Sequence, residues 1–175
     1  MKLQELSISQ LETDRLLLVP FTLDICESML YNDYEILSSM GLIKGEGWPD
    51  IDMMETIPKI IQNISIHDYV TGFESWMIIK KETNEIIGDV GFKGFDFAHQ
   101  NVDIGYGIIL EERKKGYAEE ACIGLMNWAF EQEIVKGITA KCLIHNIASI
   151  NLLKKLGFQK TNVDEHLIEW SLERI

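Results

Sequence analysis

Val102-Asp103-Ile104-Gly105-Tyr106-Gly107-Ile108-Ile109-Leu110 runs, after two glutamates, into Arg113-Lys114-Lys115-Gly116-Tyr117-Ala118. The first stretch alternates, with Asp103, Gly105 and Gly107 on one face and Ile104, Tyr106 and Ile108 on the other, so 102–110 is predicted to be a strand. From Ala118 the period changes. Ala118, Ala121, Cys122, Leu125 and Ala129 recur at three- and four-residue steps, which predicts an amphipathic helix over 116–131. A basic turn before a helix start sets cationic side chains beside free N–H groups and the positive end of the helix dipole, which suits a pyrophosphate. Gly116 and the small Ala118 would let phosphate oxygens approach the backbone. A basic surface turn that needs glycine sterically would read the same way.

Working outward, Leu16-Leu17-Leu18-Val19 before Pro20 reads as a strand, and 22–38 carries helical spacing. Gly41, Gly45, Gly47 and Pro49 break the chain before a second helix over 53–64. Strands are expected at 74–81 and 86–95, joined by the turn Glu82-Thr83-Asn84-Glu85. Beyond the central helix come a strand at 138–144, a short helix at 148–156 and a last strand at 166–172. The order β-α-α-β-β-β-α-β-α-β-β predicts a single α/β (α+β) domain over 1–175, a mixed sheet with helices on its faces.

The chain has 175 residues, 46% apolar and 25% charged, enough for one core. Sixteen basic against 28 acidic residues leave a net charge of -12, which argues against nucleic acid or an anionic membrane as partner and favours a cationic one. No leader pattern or apolar span is visible, so a cytoplasmic location is expected. Cys26, Cys122 and Cys142 are widely spaced and read as reduced core residues. His67, His99, His145 and His166 are scattered, so no metal is expected. Gly88, Gly91 and Gly94 fall on a predicted strand and make no dinucleotide fingerprint. Trp48 and Trp76 are candidates for an acceptor pocket, although Trp76, on a strand, also suits the core. A further constellation is Asn146-Ile147-Ala148-Ser149 before Leu156-Gly157-Phe158, in which Asn146 suits a helix N-cap and Gly157 a C-cap.

In order and spacing these segments resemble the GNAT superfamily of N-acetyltransferases, and most closely its ribosomal-protein N-terminal acetyltransferase branch. Arg113-x-x-Gly116-x-Ala118 is similar to the superfamily's (Q/R)xxGx(G/A) signature. Asn146-x-x-Ser149 before Lys155-Leu156-Gly157-Phe158 is similar to the branch's NxxS…LGF element, and Leu11 to Leu18 resembles its opening strand. The resemblance implies a splayed, mostly antiparallel sheet and acetyl-CoA as donor. It implies pyrophosphate on Arg113, Lys114, Lys115, Gly116, Tyr117 and Ala118, and the pantetheine arm along the backbone of Ile108, Ile109 and Leu110. Asn146 and Ser149 would also touch the cofactor. The acceptor would be a protein N-terminus or a small amine, beside the variable 40–72 region, with transfer in a ternary complex. A homodimer stays open.

Two departures bear on mechanism. Many enzymes of the superfamily carry a tyrosine four residues before the LGF glycine as proton donor to the departing thiolate; here that residue is Leu153. Ser149 is the substitute, with Asn146 beside it, and Asp103 is the candidate base. Lys114 replaces a glycine common in the signature, so charge would share the grip on phosphate. Leu153 also keeps open an inactive acyl-CoA-binding sensor of the same fold.

Overall fold

The structure, a computed structural model, describes residues 2–175. Its strands in chain order are β1 (Leu11–Glu12), β2 (Leu16–Pro20), β3 (Ile43–Lys44), β4 (Ser75–Lys80), β5 (Glu85–Asp96), β6 (Asn101–Ile108), β7 (Gly137–Leu143), β8 (Gln159–Val163) and β9 (Leu167–Glu173). The helices are α1 (Leu23–Leu30), α2 (Glu35–Ser39), α3 (Ile51–Ser65), α4 (Tyr117–Glu131) and α5 (Ile147–Lys155). Among the described residues the strands form one sheet in the order β1-β2-β4-β5-β6-β7-β9-β8, with β3 added beside β5. Pairings are antiparallel except β3 with β5 and β6 with β7.

Cross-strand partners share a face of the sheet, which assigns the two sides. Trp76, Val90 and Tyr106 form one row, and the Trp76 indole lies 5.6 Å from that of Trp128 on α4. The next row, Met77, Asp89 and Gly107, therefore faces the opposite side, where α3 lies. α3 buries Met53, Ile57, Ile60 and Ile64 at three- and four-residue steps, and α4 buries Ala121, Cys122, Leu125 and Ala129 in the same way. All three cysteines are buried thiols. No described helix is long and apolar enough to cross a membrane.

Several expected boundaries move, each for a local reason. The helix expected over 22–38 is two, because Asn32 takes a left-handed φ of 56° and Asp33 then accepts from the Glu35 N–H to start α2. The opening strand over 11–18 is a hairpin instead; the Thr13 hydroxyl binds the Leu16 N–H and turns β1 back onto β2. The strand expected to reach Leu110 stops at Ile108, and Leu110–Glu112 forms a 3₁₀ turn. α3 begins earlier than expected because the Asp50 carboxylate caps the Met53 N–H at 2.9 Å.

One buried carboxylate ties the loop before β4 to the core. Glu74, 2% exposed, accepts from the Thr71 N–H at 3.0 Å, the Thr71 hydroxyl at 2.7 Å and the Gly72 N–H at 3.0 Å. Burial pushes its pKa up in spite of these bonds. Gly72, in the left-handed region, lies so close to Trp128 that a Cβ would sit 2.3 Å from the ring. Glu74→Ala would orphan two buried N–H groups, each worth roughly 1–3 kcal/mol. Urea unfolding is expected to show a loss of at least about 2 kcal/mol from the lower of those values doubled; an unchanged midpoint would remove Glu74 from this role.

Candidate active site

β6 and β7 pair only from Asn101 with Gly137 to Ile104 with Ala140. Beyond that point β6 stays on β5 as far as Ile108, and β7 stays on β9 as far as Leu143. A V-shaped gap opens between them. The Ile109 N–H is spent on the Ile87 carbonyl at 2.9 Å, so alternation turns the backbone of Ile108, and of Tyr106, toward the gap. Arg113 Nε donates to the Ile108 carbonyl at 2.8 Å from that side. Of the stretch 108–110, then, Ile108 offers backbone to the gap and Leu110 exposes its side chain, while Ile109 is buried and already bonded.

The basic turn lies at the mouth of the gap. Gly116 caps α4 with φ 82°, and no side chain caps the first N–H groups of this helix. Lys114 is also left-handed, at φ 62°. Three glutamates that would repel an anion here are each paired. Glu112 binds Lys80 and Lys115, both at 3.0 Å, and Glu119 binds Lys155 at 2.8 Å. Glu120 accepts from the Thr13 hydroxyl at 2.6 Å and from the Arg15 N–H and Nε, both at 2.7 Å. Burial raises the Glu120 pKa, but these bonds outweigh it and hold the carboxylate ionised below its usual range. Arg15 goes further. It donates to the Lys115 carbonyl at 2.9 Å, and its guanidinium stacks 4.4 Å from the Tyr117 ring centre. The turn is thus braced from the β1–β2 hairpin. Lys115 and Arg113 are engaged, while Lys114 has no ion pair among the described residues.

On the far wall, Asn146 caps α5 through its side chain, accepting from the Ser149 N–H at 3.1 Å. Ser149 therefore sits in the first turn of α5 at the gap. Tyr106 approaches it from β6. Burial pushes the Tyr106 phenol up to about 12, and hydrogen bonding with Ser149 offsets part of that rise. Leu153, 1% exposed, belongs to the core.

The opposite face of the sheet carries a cavity of about 500 Å³ between α3 and the β5–β6 strands. Gly105 and Gly107 are part of its floor; a Cβ on Gly105 would meet nothing within 4 Å. Asp89 stands directly across from Gly107, with Oδ1 3.5 Å from where a Gly107 Cβ would be. Burial, then the nearby Asp50 and Asp52 carboxylates, push Asp89 up to about 7. Trp48 lines the cavity, and its buried Nε1 has no partner. Trp76 is wholly buried in the core instead. Asp103, the candidate base, is engaged at the paired end of β6, held by Lys93 at 2.8 Å and by the Thr139 hydroxyl at 3.0 Å. Asp89 lies outside the motifs of the sequence, although a lone carboxylate inside an apolar strand signals burial for a reason. Nor is the role of Arg15 legible locally, since it depends on a contact 100 residues away.

The family described as the acetyltransferase (GNAT) domain matches residues 15–159, and the chain belongs to it. The uncharacterized N-acetyltransferase YjdG of Bacillus subtilis (strain 168) is 35% identical over 148 residues, covering 85% of this chain and 88% of the relative. YoaA of the same strain, also an uncharacterized N-acetyltransferase, is 30% identical over 154 residues, covering 87% and 84%. Among solved structures, the RimL ribosomal L7/L12 alpha-N-protein acetyltransferase in complex with coenzyme A superposes with a TM-score of 0.67 at 16% identity, over 94% of this chain and 97% of that one. The microcin C7 self-immunity acetyltransferase MccE in complex with acetyl-CoA and AMP gives 0.62 at 20%, over 93% and 94%. At these identities the two structures speak for the fold.

Gly116 supplies a test of the turn. A side chain there meets left-handed strain of about 1–2 kcal/mol and an Arg15 guanidinium 3.3 Å away. Gly116→Ala is expected to lower stability by about that amount, with a smaller loss when combined with Arg15→Ala. Equal losses in both backgrounds, by chemical denaturation, would show that the turn and Arg15 are uncoupled.

Proposed function

We propose that this protein transfers the acetyl group of acetyl-CoA to a primary amine, directly and within a ternary complex. The observation that carries the reading is the gap itself. It joins a braced, basic helix start on one side to a separate cavity on the other, and the backbone of Tyr106 and Ile108, turned away from β5, lies between, with only the Ile108 carbonyl taken by Arg113. The pantetheine arm adds to that backbone edge as a short strand would. Its pyrophosphate takes the free N–H groups of α4 and the charge of Lys114. The thioester carbonyl then lies at the end of β6, where backbone N–H groups polarise it. The amine enters through the α3 cavity, whose lining includes Trp48, Asp50 and Asp89. A small amine and a protein N-terminus both remain candidates for that cavity.

When the C–S bond breaks, the electron pair leaves on sulfur. Ser149, capped in place by Asn146 and backed by Tyr106, is the donor nearest the expected path of the thiol. The deciding experiment is an acetyl-transfer screen over peptides and small amines, with release of free thiol as the signal. No release with any amine, together with tight acetyl-CoA binding, would instead favour a sensor of the same fold, the reading that Leu153 supports.

For the donor half, Ser149→Ala is expected to lower kcat by roughly 10²-fold, the scale of general acid catalysis. The KM for acetyl-CoA is expected to move less, because the lost interaction belongs to the transition state. A variant that melts earlier yet turns over normally would leave Ser149 a residue of the α5 cap. Binding of acetyl-CoA should weaken as salt screens the turn; salt-insensitive affinity by calorimetry would remove charge from the grip.

A further inference from the structure

We propose that Asp89 is the catalytic base, taking the proton from the acceptor's ammonium group, and that the site is thereby built for amines that are ionised at neutral pH. The inference rests on the acetyltransferase reading and goes beyond it by naming the base and the acceptor's charge state.

Position comes first. Asp89 is the cross-strand partner of Gly107, whose neighbours Tyr106 and Ile108 turn their backbone into the gap. A thioester lying along that edge is separated from the Asp89 carboxyl by the width of the β6 strand at Gly107. Gly107 has no side chain to stand between them, and Gly105 leaves the next position open. The carboxyl itself points into the cavity on the α3 face.

Partnership comes second. Two other carboxylates close to the gap are taken, Asp103 by Lys93 and Thr139 and Glu112 by Lys80 and Lys115, while Asp52, also unpaired, is exposed at the start of α3. Asp89 has no hydrogen bond or ion pair among the described residues. The groups facing it explain why. Asp50 and Asp52, from the start of α3, are like charges that raise its pKa. Of the cations lining the cavity, Lys93 is paired to Asp103, Arg113 Nε is bound to the Ile108 carbonyl, and Lys59 is exposed on α3. Tyr106 turns its phenol to the other face. A half-buried acid left without a donor is unfavourable for folding alone. It is what a cationic guest and a proton acceptor require.

The chemistry balances. The ammonium gives one proton to the Asp89 carboxylate. The freed lone pair attacks the thioester carbon, the C–N bond forms, the C–S bond breaks, and the pair leaves on sulfur. The nitrogen then sheds its second proton, and the thiolate gains one. An ordinary aspartate and an alkylammonium differ by roughly 6 pKa units. With Asp89 near 7 the mismatch falls to roughly 3.

The test begins with the best acceptor from the screen and an analogue with a trifluoromethyl group beside the amine carbon, which is much less basic and arrives largely unprotonated. Asp89→Asn keeps the shape of the side chain. It is expected to lower kcat by roughly 10²-fold with the basic amine, to abolish the acid limb of the pH profile, and to leave acetyl-CoA affinity unchanged. With the fluorinated analogue the loss should shrink to a few-fold. Carboxyl-labelled aspartate NMR, assigned with the same variant, should show Asp89 titrating near neutral pH. Wild-type turnover by Asp89→Asn, an equal loss with both acceptors, or titration in the ordinary carboxylate range would each overturn the proposal while the acetyltransferase reading stands. A wild-type protein that acetylates no amine would overturn both.

Discussion

The site depends on two strands that cannot stay together. β6 and β7 are neighbours for four residues, and then each follows its antiparallel partner, β5 on one side and β9 on the other. The parallel pairing is the weaker claim on each strand, so the divergence needs no special sequence at the fork. Its cost is an edge of backbone with no strand to bind. Unpaired N–H and C=O groups inside a protein are unfavourable unless something satisfies them. Arg113 satisfies the Ile108 carbonyl from within the chain. The remaining groups face the gap, and in the proposed function they pair with the pantetheine arm, an extended chain of the same hydrogen-bonding kind.

Charge imposes the second constraint. On the proposed function a protein with net charge -12 receives a polyanion, and the acids around the basic turn are neutralised locally. Glu112, Glu119 and Glu120 flank the basic turn, and each is held by a cation from another element: Lys80 on β4, Lys155 on α5, Arg15 in the β1–β2 hairpin. These pairs are partly exposed, so each adds little to stability alone. Their effect is to remove three repulsive charges from the turn and to fix its backbone. Arg15 does both, binding Glu120 with one edge of the guanidinium and the Lys115 carbonyl with another.

What the sequence made legible follows from the range of the forces involved. The strand–turn–helix join at 102–118 could be read because alternation, basic residues and glycine are local signals. Asn146 was legible as a cap for the same reason, and its side chain does accept from the Ser149 N–H. The α1–α2 break was missed because helical spacing continues through Asn32 and Asp33, and only the left-handed φ at Asn32 interrupts it. Asp103 attracted attention as a carboxylate beside two glycines, but its partners Lys93 and Thr139 lie on other strands. Asp89 was missed for the converse reason. Its neighbours along the chain give no sign that Gly107 faces it or that Asp50 and Asp52 raise its pKa.

The two faces of the sheet give the proton chemistry its order. Tyr106 and Ser149 stand on the α4 side, where burial keeps the phenol protonated well beyond neutral pH. Asp89 stands on the α3 side, where burial and the Asp50 and Asp52 charges push its pKa up to about 7. Side chains alternate across a strand, so Tyr106 and an Asp89 paired to the adjacent Gly107 cannot meet. A donor and an acceptor in contact would exchange a proton with each other and do no work on a substrate. Separated by the backbone of β6, they face opposite sides of the sheet. In the proposed reaction the amine would approach the carbonyl carbon from the cavity, and the sulfur would depart toward α5. The fork between β6 and β7 opens the sheet beyond Ile104 and Ala140, so the proposed reaction uses both of its faces.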